Sequence, residues 1–426
     1  MKYSLIRYIY TLFLFLSLPL IVFRLWWRGR ANKGYRRRLV ESFGIFKAPK
    51  ENNGLWLHAV SLGESVAATP FIQAFQKKFP HLPITISTTT VTGAARIKST
   101  FGDSVFHVYF PYDLPFCITT FLKKIRPKLF IITETERWPN CLHYCRQQKI
   151  PVVIMNARVS PRSFNRYKRL GFFMRDMLSA LTVVAAQSKE DGERFLELGL
   201  EPDRLIIAGN TKFDVPEKAG IHEKAYALRN SWGMERPAFA AASTHPGEEL
   251  QVLEAFKKIQ KEFSNALLMI IPRHPERFGT VATLIESQGF KMVARSQQHE
   301  RIPQKVEVFL GDTMGELELF YAASDVAFVG GSLVPVGCHN LLEAAALSIP
   351  ILTGPHVFNS VDMNKLLIEA GGAVRVTDSE SIAKAVIHWF SNPADRLKAG
   401  EAAKAAFKGQ QGAVQKIMEA LPLNVD

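Results

Sequence analysis

Thirteen short apolar runs recur between residues 55 and 354, separated by stretches with helical spacing. The first seven are LWLHAV (55–60), ITISTT (84–89), VFHVYF (105–110), LFIIT (129–133), VVIMN (152–156), LTVVAAQ (181–187) and LIIAGN (205–210). A polar, proline-containing passage at Thr211 to Lys218 interrupts the rhythm, and a charged, helix-like stretch follows. Six more runs come after it: AFAAAS (238–243), ALLMIIP (266–272), KMVA (291–294), VEVFLG (306–311), VAFVGG (326–331) and IPILTG (349–354). Runs apolar along their whole length read as parallel strands buried on both faces. The pattern therefore predicts an α/β protein with two doubly wound, Rossmann-like domains joined by a linker. Ligands of such sheets bind beyond the carboxyl ends of the strands, so the expected site is a cleft between the domains.

Polar residues fall where that rule asks for them. Ser61, Gly63 and Glu64 follow the first run, Glu134, Glu136 and Asn140 the fourth, and Asn210, Thr211 and Lys212 the seventh. In the second half, Ser243 to His245, Arg273 with His274, Asp312 to Glu316, and Gly330 to Ser332 with Asn340 repeat the arrangement. So many polar strand ends on one edge predict a polar ligand held by both domains.

Charge narrows the class of partner. The chain carries 53 Lys and Arg against 39 Asp and Glu, a net charge of +14. Seven basic residues and no acid lie between Arg24 and Arg38, and six and no acid between Arg158 and Arg175, so almost all of the excess sits in two patches. Basic charge spread along a cleft, as nucleic acid would require, is not there. Four cysteines are too few for a disulfide framework. Cys141 and Cys145 flank His143 at helical spacing, but no second ligand pair follows, and packed thiols are the expectation.

Tyr8 to Phe23 is uncharged and almost wholly apolar. At helical rise it reaches about 24 Å, slightly short of a hydrocarbon core, and Arg7 and Arg24 could snorkel to close the gap. No small-residue cleavage site ends the segment; Trp26 and Trp27 do, followed by Arg28, Arg30, Lys33, Arg36, Arg37 and Arg38. An aromatic and then basic flank predicts a retained anchor, spanning the bilayer or lying in its interface, with the folded body on the cytosolic side; a buried hydrophobic helix of the fold is the alternative. The second patch, RVSPRSFNRYKRLGFFMR, interleaves basic and aromatic residues. That suits either nucleic acid or a phosphorylated lipid, and the membrane anchor beside the first patch favours the lipid, though a solvated helix with its apolar face in the core would read the same way.

In the run VAFVGGSLVPVGCHNLLEAAALSIPILTGP, Gly330, Gly331 and Gly337 would let backbone approach a ligand closely. Asn340 stands where a helix starting at Leu341 would be capped, a helix end that favours phosphate. Glu343 would accept hydrogen bonds from ribose hydroxyls. Lys212, His245, Arg273 and His274 would give charge or donors to an anionic substrate; helix capping and surface ion pairing are the plainer uses of such residues. Glu64, at a strand-to-helix turn, suits a general base for a hydroxyl, and equally a first-turn residue complementing the helix dipole. The chain has no Walker A loop and no Asp-x-Asp motif, so no bridging metal is called for.

The motifs HAVSLGE (58–64), ETERWPN (134–140), NARVS (156–160), GNTKFD (209–214), RHPERF (273–278), GDTMGEL (311–317) and FVGGSLVPVGCHNLLE (328–343) together resemble the 3-deoxy-D-manno-octulosonic acid (Kdo) transferase family. The resemblance runs through nearly the whole chain. It implies a GT-B fold, membrane anchoring, and inverting, metal-independent transfer of Kdo from CMP-Kdo to the lipid A precursor, lipid IVA. It further implies Glu64 as proton acceptor, Glu134 and Lys212 as transition-state stabilisers, and Pro272, Arg273, Met314, Gly315, Glu316, Asn340, Leu341, Leu342 and Glu343 as the holders of CMP. Cys338, Arg137 and Ala344 depart from the pattern, where glycine, an apolar residue and proline are usual.

The expected organisation is an anchor over 1–38, an acceptor domain over 39–215, a linker over 216–232 with a hinge near Lys218, a CMP-sugar domain over 233–400, and a helical tail over 401–426 that crosses back to the first domain. The expected place is the cytoplasmic side of the cell inner membrane, with CMP-Kdo, lipid A precursor and membrane as partners, no nucleic acid and no cofactor. A sugar-nucleotide epimerase of the same fold, and a non-enzymatic two-domain ligand-binding protein, are the alternatives.

Overall fold

The computed structural model describes residues 2–31, 39–134, 136, 138–215, 217–297 and 301–423. It divides into two compact units, Met1–Val215 with Gln411–Asp426, and Pro216–Gln410. Each unit holds one seven-stranded sheet in which every pairing is parallel. Together the two sheets and their helices make a GT-B-like α/β fold.

The strands of the first unit are β1 (Leu55–His58), β2 (Ile84–Thr88), β3 (Phe106–Tyr109), β4 (Leu129–Thr133), β5 (Val152–Ala157), β6 (Val183–Ala186) and β7 (Leu205–Ile207). They stand in the order β3-β2-β1-β4-β5-β6-β7, so the direction of winding reverses between β1 and β4. At such a reversal the flanking helices diverge to opposite faces and leave a crevice beyond the strand ends. One face of the sheet packs Trp56 on Phe130, their ring centroids 3.7 Å apart and nearly parallel. The other face is closed partly by the end of the chain, where Val414, Ile417 and Met418 join Leu57, Phe71 and Ile131. Asp214 fixes that return by accepting hydrogen bonds from the backbone N–H groups of Gly412 and Val414, both at 2.6 Å.

The strands of the second unit are β8 (Ala238–Thr244), β9 (Leu267–Pro272), β10 (Met292–Ala294), β11 (Val308–Leu310), β12 (Val326–Val329), β13 (Ile351–Thr353) and β14 (Ala373–Arg375). Their order is β10-β11-β9-β8-β12-β13-β14, and winding reverses between β8 and β12. β14 has no counterpart among the apolar runs. It is a three-residue edge strand with Val374 and Arg375 exposed, too short and too polar to stand out.

Two expected boundaries move. Most of the expected linker, 216–232, is the helix Ile221–Trp232, which belongs to the second unit. It buries Ile221, Ala225 and Trp232, and its Arg229 bonds to Asp325 at 2.8 Å. The tail does not begin at 401 as a separate element either. The helix Pro393–Lys408 belongs to the second unit, and the chain returns to the first at Gln411.

The amino-terminal helix, α1 (Lys2–Ala31), contains a stretch, Leu5–Arg24, long and apolar enough to cross a membrane. Arg7 is not free to snorkel. It is 5% exposed and donates to Asn140 Oδ1 at 2.9 Å, an atom that Thr11 also approaches. Asn140 Nδ2 in turn donates to the Asp113 carbonyl at 2.6 Å, while the Asp113 carboxylate accepts from the N–H groups of Asn140 and Cys141. Asn140, expected at the ligand edge, instead clasps α1. Burial pushes the Asp113 carboxyl up to about 6, against the opposing pull of those hydrogen bonds and of Arg7. Arg28 and Arg30 fall in the last turns of α1, whereas Lys33, Arg36, Arg37, Arg38 and Arg137 lie outside the described residues.

The patch between Arg158 and Arg175 forms two helices, Pro161–Lys168 and Phe172–Ser179. Phe164, Tyr167 and Phe173 pack against the core and Met174 is buried, so most of the aromatic interleaving is an apolar face turned inward. Arg162, Arg166, Lys168, Arg169, Leu170 and Phe172 remain exposed. Cys141 and Cys145 are both buried in the helix Pro139–Gln147.

Candidate functional site

Glu64 stands at the reversal point of the first sheet. Ser61 ends the turn after β1 and caps the helix Leu62–Lys78, its hydroxyl accepting from the Glu64 N–H at 3.4 Å. The Glu64 side chain folds back over the turn. Oε2 accepts from the Val60 N–H at 2.8 Å and from the Thr133 hydroxyl, at the end of β4, at 2.7 Å. Among the described residues Oε1 has only the Ser61 hydroxyl, at 3.2 Å, so it is the less engaged oxygen and the one with capacity for a proton. The residue is 8% exposed. Burial holds its carboxyl above the usual range; the bonds from Thr133, Val60 and Ser61 oppose that shift and nearby Glu134 adds to it. A carboxylate with raised proton affinity beside a second carboxylate is what a general base for a hydroxyl needs.

Glu134 follows β4 with a φ of 60°, in the left-handed region that a non-glycine residue adopts at a cost. Its N–H is tied to the Met155 carbonyl at 2.8 Å. The turn Thr211–Asp214, which carries half-buried Lys212, is pinned to the helix that Glu64 begins: Thr211 Oγ1 donates to the Ala67 carbonyl at 2.6 Å. Asn156 holds the same turn from β5 through the Thr211 N–H and hydroxyl. Glu64 and Glu134 are thus neighbours, and Lys212 sits on a turn braced against the same helix.

In the second unit the expected glycine loop folds around a buried carboxylate. The Gly331, Ser332 and Leu333 N–H groups, with that of His245, all donate to Glu248, at 2.8 to 3.0 Å. Glu248 is fully buried, and its carboxyl is raised by burial against those four hydrogen bonds. The glycines answer close approach of backbone to backbone: a Cβ at Gly330 would lie 2.4 Å from the Ser243 carbonyl oxygen, and one at Gly331 2.5 Å from that of Gly337. Buried Cys338 keeps its N–H bonded to His356 at 2.8 Å, so it leaves the loop's path intact.

Asn340 Oδ1 accepts from the Leu342 N–H at 3.2 Å and its amide donates to Glu343 Oε1 at 3.0 Å. The helix that follows, Leu342–Ala346, starts from Leu341 rather than from an Asn340 cap and has only five residues, too short for the strong phosphate-directed dipole expected of it. Burial raises the Glu343 carboxyl, with Asn340, Lys218 and Arg273 acting the other way. Arg273, Asn340 and Glu343 are therefore brought together after β9 and β12. Pro272 is the buried last residue of β9, and Ala344 is buried in the short helix. Glu316 faces elsewhere: Arg295 grips its carboxylate through two bonds, at 2.8 and 3.1 Å, Thr313 bonds to it as well, and the pairing lowers its proton affinity. Met314 is exposed and Gly315 takes a φ of 84°. His245 does not add charge, because burial and its cationic neighbours lower its proton affinity; it meets His339, with Nε2 atoms 2.7 Å apart.

Thr133, Glu248, Arg295 and His339 went unmarked in the sequence. Thr133 ends an apolar run and Arg295 lies outside every motif. Glu248 had one signal, its place three residues after His245 at a strand-to-helix turn, which is the spacing of a side chain that caps backbone. Among the described residues no group of three or more His, Cys, Asp or Glu could hold a metal ion.

Residues 37–215 match the family 3-Deoxy-D-manno-octulosonic-acid transferase (kdotransferase), and residues 249–406 match Glycosyl transferases group 1. The chain is similar to a 3-deoxy-D-manno-octulosonic acid transferase of Haemophilus influenzae, at 40% identity over 97% of this chain and 98% of that one. It is similar to one from Bordetella pertussis at 34% identity, with the same coverage. Among solved structures, a UDP-GlcNAc 2-epimerase from Neisseria meningitidis superposes with a TM-score of 0.56 at 15% identity, over 87% of this chain and all of that one, a likeness of fold alone.

Proposed function

Since the chain belongs to the 3-deoxy-D-manno-octulosonic acid transferase family and is a glycosyltransferase of lipopolysaccharide synthesis, we propose that it transfers Kdo from CMP-Kdo to a hydroxyl of lipid IVA with Glu64 as the base. The observation that carries this reading is the Glu64 carboxylate at the β1/β4 reversal, buried, raised in proton affinity and with Oε1 lightly engaged. The acceptor oxygen bonds to the anomeric carbon of the sugar as the bond from that carbon to the phosphate oxygen breaks. The electron pair leaves with CMP, and the hydroxyl proton passes to Glu64. Attack from the side opposite the leaving group inverts the anomeric centre.

Glu134 and Lys212 would stabilise charge around the reacting sugar, and the second unit would hold CMP through Pro272 with Arg273, Met314 to Glu316, and Asn340 to Glu343. Arg273 beside Glu343 and Asn340 supports that assignment. For Glu316 the paired carboxylate leaves backbone as the contact. A single phosphate can be neutralised by Arg273 and neighbouring donors, so the transfer is proposed to proceed without a metal. The apolar helix α1 supports attachment to the inner membrane, with the catalytic units on the cytoplasmic side.

The test is incubation of the purified protein with CMP-Kdo and the tetra-acylated precursor, with and without chelator, followed by mass analysis of the lipid. CMP release with Kdo addition, unchanged by chelator and absent without lipid, is expected. A lipid of unchanged mass would refute the reading, and loss of transfer on chelation would refute its metal-free form.

A further inference from the structure

His245 follows β8 and His339 follows β12, on the two sides of the reversal in the second sheet. Their Nε2 atoms are 2.7 Å apart, the ring planes differ by 9° and the centroids lie 5.0 Å apart, so the rings meet edge to edge without overlapping. A contact that short holds one proton, because two N–H groups would collide and two lone pairs would repel. In the neutral pair one ring carries its hydrogen on Nε2 and the other on Nδ1. Among the described residues neither Nδ1 has a hydrogen-bond partner. The adjoining Thr244 hydroxyl is buried and likewise unpartnered.

Two arginines and a third imidazole face the pair. Arg273 and His274 come from the end of β9, with the His274 ring edge-on to His245 at 5.4 Å, and Arg277 from the turn beyond. Of the two carboxylates nearby, Glu249 is paired with Arg277 at 2.6 Å and Glu248 is engaged by four backbone N–H groups. Burial first, and the neighbouring arginines and imidazoles after it, push His339 down to about 4 and lower His245. An anion placed there would reverse the local field and favour a charged imidazole.

We infer that His245 and His339 act as one phosphate-recognition element, taking up a proton when a nucleoside monophosphate dianion binds. The inference rests on the proposed reading of the second unit as the holder of CMP and adds to it a pair of residues. It matches the chemistry of the donor. In a sugar nucleotide of this kind the phosphate is a diester with one negative charge, and the electron pair that leaves with it makes two. One further proton, added to the two that the neutral pair carries, makes both outer nitrogens donors, which answers the added charge.

Calorimetric titration of the full chain in detergent with CMP, at about pH 7.5 where the free nucleotide is mainly a dianion, tests it in two buffers of different ionisation enthalpy. Wild type is expected to take up close to one proton per CMP, with Kd rising about tenfold per pH unit on the alkaline side. His245→Gln and His339→Gln should lose the uptake and flatten the pH profile while binding CMP about tenfold more weakly, as loss of one charge-assisted hydrogen bond implies. CMP binding by wild type without proton uptake, or uptake that survives in both folded variants, would overturn the inference. Failure of wild type to bind CMP at all would instead overturn the reading of the second unit, so the two failures are separate. Melting of each variant without CMP reports folding, and the wild-type measurement stands whichever variant misfolds.

Discussion

The Thr133 hydroxyl, at the carboxyl end of β4, donates to Oε2 of Glu64 at 2.7 Å. That bond favours the carboxylate over the acid and so restrains a proton affinity that burial drives upward. Thr133→Val removes the donor and keeps the shape. The Glu64 carboxyl then rises further, and the acidic limb of the kcat/KM profile should move to higher pH by about one unit. Initial rates across the pH range read this directly; an unmoved limb would remove Thr133 from any role in tuning the base.

Glu64→Gln keeps an oxygen to accept from Val60 and Thr133 but cannot take a proton from the acceptor. Transfer should fall by about 10²- to 10⁴-fold with CMP affinity unchanged. Single-turnover assays beside CMP titrations separate the two, and near-normal turnover would end the assignment of Glu64 as base.

Glu248 satisfies four N–H groups with two oxygens. Glu248→Gln leaves one oxygen and adds an NH₂ that faces donors. Orphaned buried N–H groups cost about 1–3 kcal/mol each, so the melting transition of the second unit should drop by several degrees and CMP binding should weaken with it. Calorimetric scanning with and without CMP checks both.

Gly330→Ala would place a Cβ 2.4 Å from the Ser243 carbonyl oxygen, a rigid backbone atom. β8 and β12 would have to separate, so we expect little soluble protein, or a second unit that melts well before the first. A normal melting profile would show that the strand ends can move apart.

Asp113 and Arg7 make the seating of α1 depend on pH. The Asp113 carboxyl is raised to about 6 when folded, above its unfolded value, so its protonation favours the folded form as pH falls through about 6. Arg7 offsets part of the penalty carried by the ionised form. Arg7→Met should therefore lower the melting temperature at neutral pH and recover part of the loss near pH 5.5. Equal losses at both pH values would show that Arg7 acts through packing and Asn140 alone.

The alternation of apolar runs sufficed for thirteen of the fourteen strands among the described residues, because central parallel strands must be apolar on both faces. Edge strand β14 escaped, since Val374 and Arg375 meet solvent. The places of Glu64 after β1 and of Glu134 after β4 were legible from the apolar runs that precede them. A glycine that admits a ligand and one that admits the next strand's carbonyl look alike in sequence, and only the fold shows that Gly330 admits the carbonyl of Ser243. Asn140 misled for a similar reason, since a polar residue after a strand can face a ligand or hold another helix. Glu248 and the His245–His339 pair join positions about 80 to 90 residues apart, and only the folded sheet brings them together.

The return of residues 411–423 to the first sheet sets the order in which the molecule can be finished. Asp214 waits for the N–H groups of Gly412 and Val414, and the face lined by Leu57, Phe71 and Ile131 waits for Ile417 and Met418. While the ribosome is still making the second unit, the first has an open apolar face and α1 has already emerged. Truncating the last dozen residues would therefore damage the half of the protein made earliest.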